Sequence, residues 1–314
     1  MHITRTPRRG ALAVVAVTAV LGLTACSGGD AAVPGSEPSA SASALDEVYE
    51  NAVVAEAADI LPDSTMAAIK ERGTLIVGEA LDAPLLSQQD PSDPDDVQGF
   101  DATLAKLLAI YILGEPSVEI VPPASETREA LLQNGTVDVV FNTYTITEER
   151  AEQVAVAGPY LESGLAVAVR ADDDEIEGIY DLGGKDVIVG ANTPAVTAVP
   201  EEQPTATVIS FATDPQAVQA LKQGRGDAYV QDFTLLASNA SKDDAIKVVG
   251  QPFTTEAYGI GLAKDDAEFK EFVNDWLLKI QEDGTWATVW DETLGAAVES
   301  ETPEAPEIGS VPGS

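Results

Sequence analysis

Histidine and cysteine are almost missing from this chain of 314 residues, which has one of each, His2 and Cys26. Both stand near the N-terminus, so everything downstream has neither. That excludes Ser-His and Cys-His nucleophile pairs, which need an imidazole to take a proton. It also excludes ordinary zinc sites, which draw on thiolate and imidazole ligands. A lone cysteine has no disulfide partner within the chain. No metal or cofactor site is expected. Basic residues are scarce as well, 17 Lys and Arg against 53 Asp and Glu, for a formal charge of −36. A surface this negative repels a phosphate backbone, so nucleic acid is not expected as a partner. It repels any anionic ligand too, and such a ligand needs a local positive site.

Long apolar runs are also missing, with one exception. Behind Arg5, Arg8 and Arg9, Ala11 to Leu23 is apolar apart from Thr18 and Gly22. It is too short to span a bilayer core of about 30 Å, and residues 1–25 have the layout of a cleaved secretory signal. The stretch closes on Leu23-Thr24-Ala25-Cys26. A small residue before a cysteine resembles the bacterial lipoprotein signal, in which Cys26 becomes the lipidated first residue, anchored at the outer face of the cell membrane. The alternative is an ordinary signal peptide with an incidental cysteine. Residues 26–44, rich in Ser, Gly, Ala and Pro, read as a flexible tether. The acidic, Pro-rich stretch 299–314 reads as a disordered tail.

Between these ends lie about 250 residues, enough for two lobes. Residues 45–60 and 64–72 read as helices, making 45–73 a helical N-terminal segment. From Thr74 onward, short apolar runs alternate with helical patterns. Strands are expected at 74–78, 117–121, 137–141, 165–169, 186–189, 205–210, 227–230, 247–249 and 259–262. Helix faces are marked by Phe100, Leu104, Leu107, Leu108 and Tyr111, with Asp101 as cap. A second stripe after Asp265 holds Phe269, Phe272, Val273, Trp276, Leu277 and Ile280. This alternation predicts an α/β fold with parallel or mixed sheets flanked by helices.

One turn carries chemistry. The strand 137–141 runs into Asn142-Thr143-Tyr144-Thr145 and then a helix capped by Thr147. Ligands bind at the C-terminal ends of strands in open α/β sheets, and a helix start there offers free N–H groups. Arg150 falls where a capping box wants Glu or Gln. A cation in the first turn opposes the helix dipole by about 0.3–1 kcal/mol. A bidentate carboxylate ligand would offset that cost, or Arg150 could pair with Glu148, Glu149 or Glu152 at the surface.

Several motifs in order resemble one family. They are Gly99-Phe100-Asp101, Leu131-Leu132-Gln133-Asn134-Gly135 with Val137-Asp138, Thr145 to Arg150, Gly158-Pro159-Tyr160, Gly226-Asp227-Ala228 with Gln231-Asp232, and Asp283-Gly284-Thr285-Trp286. Together they are similar to the polar amino-acid branch of the bacterial extracellular solute-binding proteins, over roughly 65–294, nearest the actinobacterial glutamate-binding proteins. The resemblance implies a two-lobed, periplasmic-binding-protein-like clamp of type II with two hinge crossings. Lobe 1 would span 74–162 and 257–294, and lobe 2 would span 163–256. It implies a monomer that binds a polar amino acid and delivers it to the permease of an ABC importer.

By the same resemblance, Arg150 would grip the α-carboxylate, helped by Thr145, the backbone around Thr143, and Thr193 from lobe 2. Asp232 would take the α-ammonium, or serve as a helix N-cap. Arg128, Asn142 and Tyr144 complete the expected site, with Arg128 the cation for a side-chain carboxylate. One position departs from the glutamate binders, which place a basic residue just after Gly78. Here the turn is Glu79-Ala80-Leu81-Asp82, and no Lys or Arg stands between Arg72 and Lys106. Glutamate is the ligand the resemblance implies; glutamine, asparagine or a basic amino acid suits the altered charge. The rival reading is a dehydratase on the same clamp, with Glu79 or Asp82 as its acid or base.

Overall fold

The structure, a computed structural model, describes residues 44–295 and 302–314. The expected signal sequence, Cys26, the tether up to residue 43 and residues 299–301 lie outside the described residues.

The described chain starts with helices α1 (Ala44–Glu50) and α2 (Thr65–Arg72), then β1 (Leu75–Gly78) and a small sheet of β2 (Asp82–Ala83), β3 (Ser87–Asp90) and β4 (Asp93–Gln98). Helix α3 (Phe100–Leu113), β5 (Val118–Val121), α4 (Arg128–Gln133), β6 (Val139–Val140), α5 (Glu148–Ala151) and β7 (Ala155–Ser163) complete the first passage through lobe 1. Lobe 2 holds β8 (Leu165–Arg170), β9 (Asp186–Gly190), α6 (Ala195–Glu202), β10 (Thr207–Phe211), α7 (Asp214–Lys222), β11 (Ala228–Asp232), α8 (Phe233–Lys242) and β12 (Ile246–Val249). The chain then returns to lobe 1 through β13 (Glu256–Leu262), α9 (Ala267–Glu282) and α10 (Thr285–Trp290).

Each lobe is built on a five-stranded mixed sheet, in the order β5-β1-β6-β13-β7 in lobe 1 and β10-β9-β11-β8-β12 in lobe 2. In each, one strand, β13 or β8, runs antiparallel to both neighbours. The two crossings between lobes lie side by side: Phe253 N donates to Leu165 O at 2.8 Å, and Leu165 N to Thr254 Oγ1 at 2.8 Å. A Cβ on Gly164 would stand 2.1 Å from Thr254 O, so only glycine permits this approach.

The aromatic stripe of α9 is buried throughout, as its 3.6-residue spacing predicts. Asp266 caps the helix by accepting from Phe269 N at 3.0 Å. In lobe 1, Trp286 meets Phe100 edge-on at 6.0 Å and donates its indole N–H to Tyr160 O at 2.8 Å, which satisfies the one polar group its burial would strand.

Four expectations change. Helix α1 ends at Glu50 and not near 60; the weakly amphipathic residues beyond it leave the helix, and Ala55 N bonds to Tyr111 O instead. Strand β7 was hidden by Gly158-Pro159, since proline reads as a break in a strand. Asp101 does not cap α3: it is buried, and its carboxylate turns to the ligand-site loop described below. Residues 302–314 are not a disordered tail but pack on lobe 1. Ala305, Ile308 and Val311 lie against its core. Gly309 N donates to Gly158 O at 2.9 Å, and Gln281 Nε2 donates to Pro306 O at 3.1 Å. Acidic composition hid three apolar side chains spaced to meet that surface.

Candidate ligand-binding site

A cavity of about 320 Å³ lies between the lobes, lined from lobe 1 by residues of 80–83, 122–128 and 142–150 and from lobe 2 by residues of 193–194, 212–214 and 231–235. That is the size of a small-molecule site.

Arg150 projects inward from α5 and is buried, so the surface pairings weighed for it do not form. Thr147 caps the helix, accepting from Arg150 N at 3.1 Å. The guanidinium donates to Thr145 O at 2.6 Å and, across the cleft, to Asn192 O at 2.8 Å. Glu129 Oε1 stands 3.4 Å from Arg150 Nε. The fork is thus aimed into the cavity with one local counter-ion, and its removal would strand Glu129 in a dry interior.

Arg128 is held by Ser125 O and Asn142 O, each at 3.0 Å. Burial, and then the charge of Arg150, push it down to about 9. Tyr144 was expected to line the site and does not. Its ring is fully buried beneath both guanidinia, 5.0 Å from Arg128 Cζ and 4.6 Å from Arg150 Cζ, and its hydroxyl donates to Glu129 at 2.9 Å. The π face below and the carboxylate beside them offset the repulsion of two buried cations.

Thr143 lines the cavity, but its backbone N–H does not serve a ligand as expected. It donates to Asp101 Oδ2 at 3.0 Å. Thr143 has φ +43°, a left-handed conformation that a β-branched residue adopts at a cost. The Asp101 bond holds the turn there, and Tyr160 OH donates to the other carboxylate oxygen at 2.9 Å. Burial outweighs these bonds and pushes Asp101 up to about 6. Asn142 and Thr145 also face the cavity. Thr145 donates its hydroxyl to Glu256 at 3.0 Å. Burial, then the charge of Asp232, push Glu256 up to about 7.

From lobe 2, Thr193 lines the cavity, but its hydroxyl donates to Gly190 O at 2.8 Å and not into the cleft as expected. Asp232 caps α8 through Oδ1, which accepts from Leu235 N at 3.1 Å. Its Oδ2 is buried and accepts no hydrogen bond of normal geometry, although the Ser163 and Tyr258 hydroxyls lie close enough to favour the carboxylate's charge. A buried carboxylate oxygen without a partner, in a cavity wall, is a place for an incoming N–H. Glu79 does not line the cavity. It is buried behind β1 with neither oxygen bonded, and burial and then Asp101 raise it well above the usual carboxylate range. Its neighbours Ala80, Leu81 and Asp82 do line the cleft.

The family model of the bacterial extracellular solute-binding proteins, family 3, matches residues 75–295. The chain belongs to that family. Among curated relatives, it is 32% identical over 232 residues to the ABC transporter glutamine-binding protein GlnH of Bacillus subtilis, covering 73% of this chain and 84% of the relative. It is 36% identical over 257 residues to the glutamate-binding protein GluB of Corynebacterium glutamicum, covering 77% and 86%. Among solved structures, the solute receptor for L-cysteine of Neisseria gonorrhoeae matches with a TM-score of 0.72 at 30% identity, over 78% of this chain and all of that one. This family-3 protein is a two-lobed solute-binding protein, not an enzyme, which removes the dehydratase rival. The family is extracellular. Of the residues expected from sequence, Arg150, Arg128, Asn142, Thr143, Thr145, Thr193 and Asp232 meet at one cavity. Glu129, Asn192, Asp214 and Glu256 went unread.

Proposed function

We propose that this chain is the substrate-binding component of an amino-acid ABC importer, anchored by Cys26 and handing a polar α-amino acid to its permease. The observation that carries this reading is one cavity with a buried guanidinium on one wall and an unpartnered buried carboxylate oxygen, Asp232 Oδ2, on another. An α-amino acid offers their complements, a carboxylate for the fork and an ammonium for Asp232. Glutamine and glutamate, named for its relatives, are the first candidates. Ligand contacts to both lobes would stabilise the closed form presented to the permease. Calorimetry of the twenty amino acids against the protein tests this. One or a few polar amino acids binding with 1:1 stoichiometry is the expected result, and no binding by any of them sinks the reading.

A further inference from the structure

Two carboxylates that the clamp does not need share its cavity, one from each lobe. Asp82 belongs to β2 in the turn after the first strand and is exposed toward the cleft. Asp214 opens α7 in lobe 2. Its Oδ1 accepts from Tyr229 OH and its Oδ2 from Asn239 Nδ2, both at 2.8 Å. Donors from β11 and α8 therefore fix the carboxylate in one orientation, while each oxygen keeps a lone pair for a further donor. Burial, and after it the charge of Asp82, push Asp214 up to about 6 against the pull of those two bonds. The two groups sense each other across the cleft.

The ionisable residues lining the cavity are Arg128, Arg150, Asp82, Asp214 and Asp232. An α-carboxylate on Arg150 and an α-ammonium on Asp232 neutralise one pair. What faces the side chain is then Arg128 against Asp82 and Asp214. Two of the Arg128 donor nitrogens are already turned to backbone carbonyls. A ligand carboxylate would add a third anion to one partly engaged cation. A carboxamide adds no charge and brings two N–H groups, and a cationic side chain balances the excess. Among the described residues no aromatic side chain lines the cleft to favour an apolar ligand instead.

We propose that Asp82 and Asp214 form an acceptor pair, split between the lobes, that selects an amino acid whose side chain ends in N–H donors and rejects one ending in a carboxylate. The proposal rests on the amino-acid-binding reading above and narrows it. A donor-bearing side chain bridges the two lobes and favours closure; a carboxylate is repelled from both.

The test is calorimetry on the whole protein with glutamine, arginine, lysine and glutamate, at one pH near 7.5 and one salt concentration. The expected result is that at least one of the first three binds tenfold or more tighter than glutamate. Asp214→Asn should shrink that ratio at least fivefold. If the natural side chain is an amide, the ratio falls because glutamate binds more tightly; if it is a cation, it falls because arginine or lysine binds more weakly. Asp82→Asn, at an exposed position, reads the same ratio where Asp214→Asn fails to fold. Glutamate binding as tightly as the other three, or a ratio unmoved in both variants, overturns the selection alone. Failure of every amino acid to bind the wild type overturns the clamp reading and the selection with it.

Discussion

Arg150, rooted in lobe 1, donates to the carbonyl of Asn192 in lobe 2 across 2.8 Å. The same asparagine, at φ +55°, turns its side chain back to Glu129 Oε2 at 3.2 Å. The ligand-gripping cation and its counter-ion are thus both tied to the opposite lobe, so the α-carboxylate site is complete only when the lobes meet. Arg150→Ala removes the fork, strands Glu129 and cuts one cross-lobe bond. A loss of about 2–5 kcal/mol in binding is expected, by analogy with desolvated charge pairs. Arg150→Lys should recover only part of it, because a point charge cannot serve two oxygens and a carbonyl in one plane. Titration calorimetry of the preferred amino acid checks both, and Arg150→Ala binding within a few-fold of wild type removes Arg150 from the site.

Glu256 gives the binding equilibrium a pH dependence. Its carboxyl titrates at about 7 because burial and the Asp232 charge disfavour its ionised form. An ammonium seated on Asp232 cancels part of that repulsion and lowers the Glu256 value. Binding near pH 7 should therefore release a fraction of a proton, and affinity should rise from pH 6 to pH 8. For folding, the sign is opposite. A raised folded-state value stabilises below the unfolded range and that contribution is lost as pH rises through 7. Calorimetry in buffers of different ionisation enthalpy measures the proton count, and Glu256→Gln should abolish it. Proton uptake, or release unchanged in the variant, contradicts the assignment.

Arg150 and Asp232 were legible because a charge at a strand-to-helix turn has few structural reasons to be there. Each stands on a local device, the Thr147 cap and the α8 cap, that sequence shows directly. Glu129 and Asn192 were not legible, since they are 63 residues apart and meet only through lobe closure. Asp214 went unread because an acidic residue in the first turn of a helix is accounted for by the helix dipole alone. Adjacent residues of the 142–145 turn point opposite ways, so Thr143 faces the cleft while Tyr144 goes beneath it, and no periodicity exists in a turn to say which. The sheets were read where apolar runs were continuous, and missed in β3, which is polar throughout, and β4, where Val97 is the only buried residue.

The C-terminal segment should contribute to lobe 1 stability. Val311 packs on the cluster holding Tyr144 and Ile146, and a Cβ on Gly313 would stand 2.9 Å from Ala151 Cβ. Val311→Asp puts a charge against that apolar surface, with an expected cost of about 1–3 kcal/mol. For a protein of this size that is a fall of about 2–4 °C per kcal/mol in melting temperature. An unchanged melting temperature for Val311→Asp, or for a chain ending at residue 301, means the segment does not hold lobe 1 in solution.

Cys26→Ser tests the anchor. A multiply acylated cysteine holds a protein on a membrane where a single chain does so only marginally. The variant should therefore appear in the medium while wild type stays with the membrane fraction. Equal retention of the two in a fractionation ends the anchor reading.

The side-chain end of the cavity offers a gain-of-function test. Ala80 lines the cleft beside Asp82, in a stretch with no cation from Arg72 to Lys106. Lysine is long and flexible enough to reach from position 80 to a ligand carboxylate or to the Asp82 and Asp214 carboxylates. Either placement makes the potential at the side-chain end less negative, the first by direct pairing and the second by neutralising what repels. Glutamate should gain from both, and glutamine, with no net side-chain charge, from neither to a comparable degree. Ala80→Lys is therefore expected to shift the ratio of dissociation constants toward glutamate by about tenfold, the equivalent of 1.4 kcal/mol. The measurement is that ratio in wild type and variant at one salt concentration, since screening weakens the effect outside the buried part of the cleft. A ratio that does not move means the turn after β1, Asp82 with it, does not reach the side chain, and the acidic pair loses its lobe 1 member as a determinant of specificity.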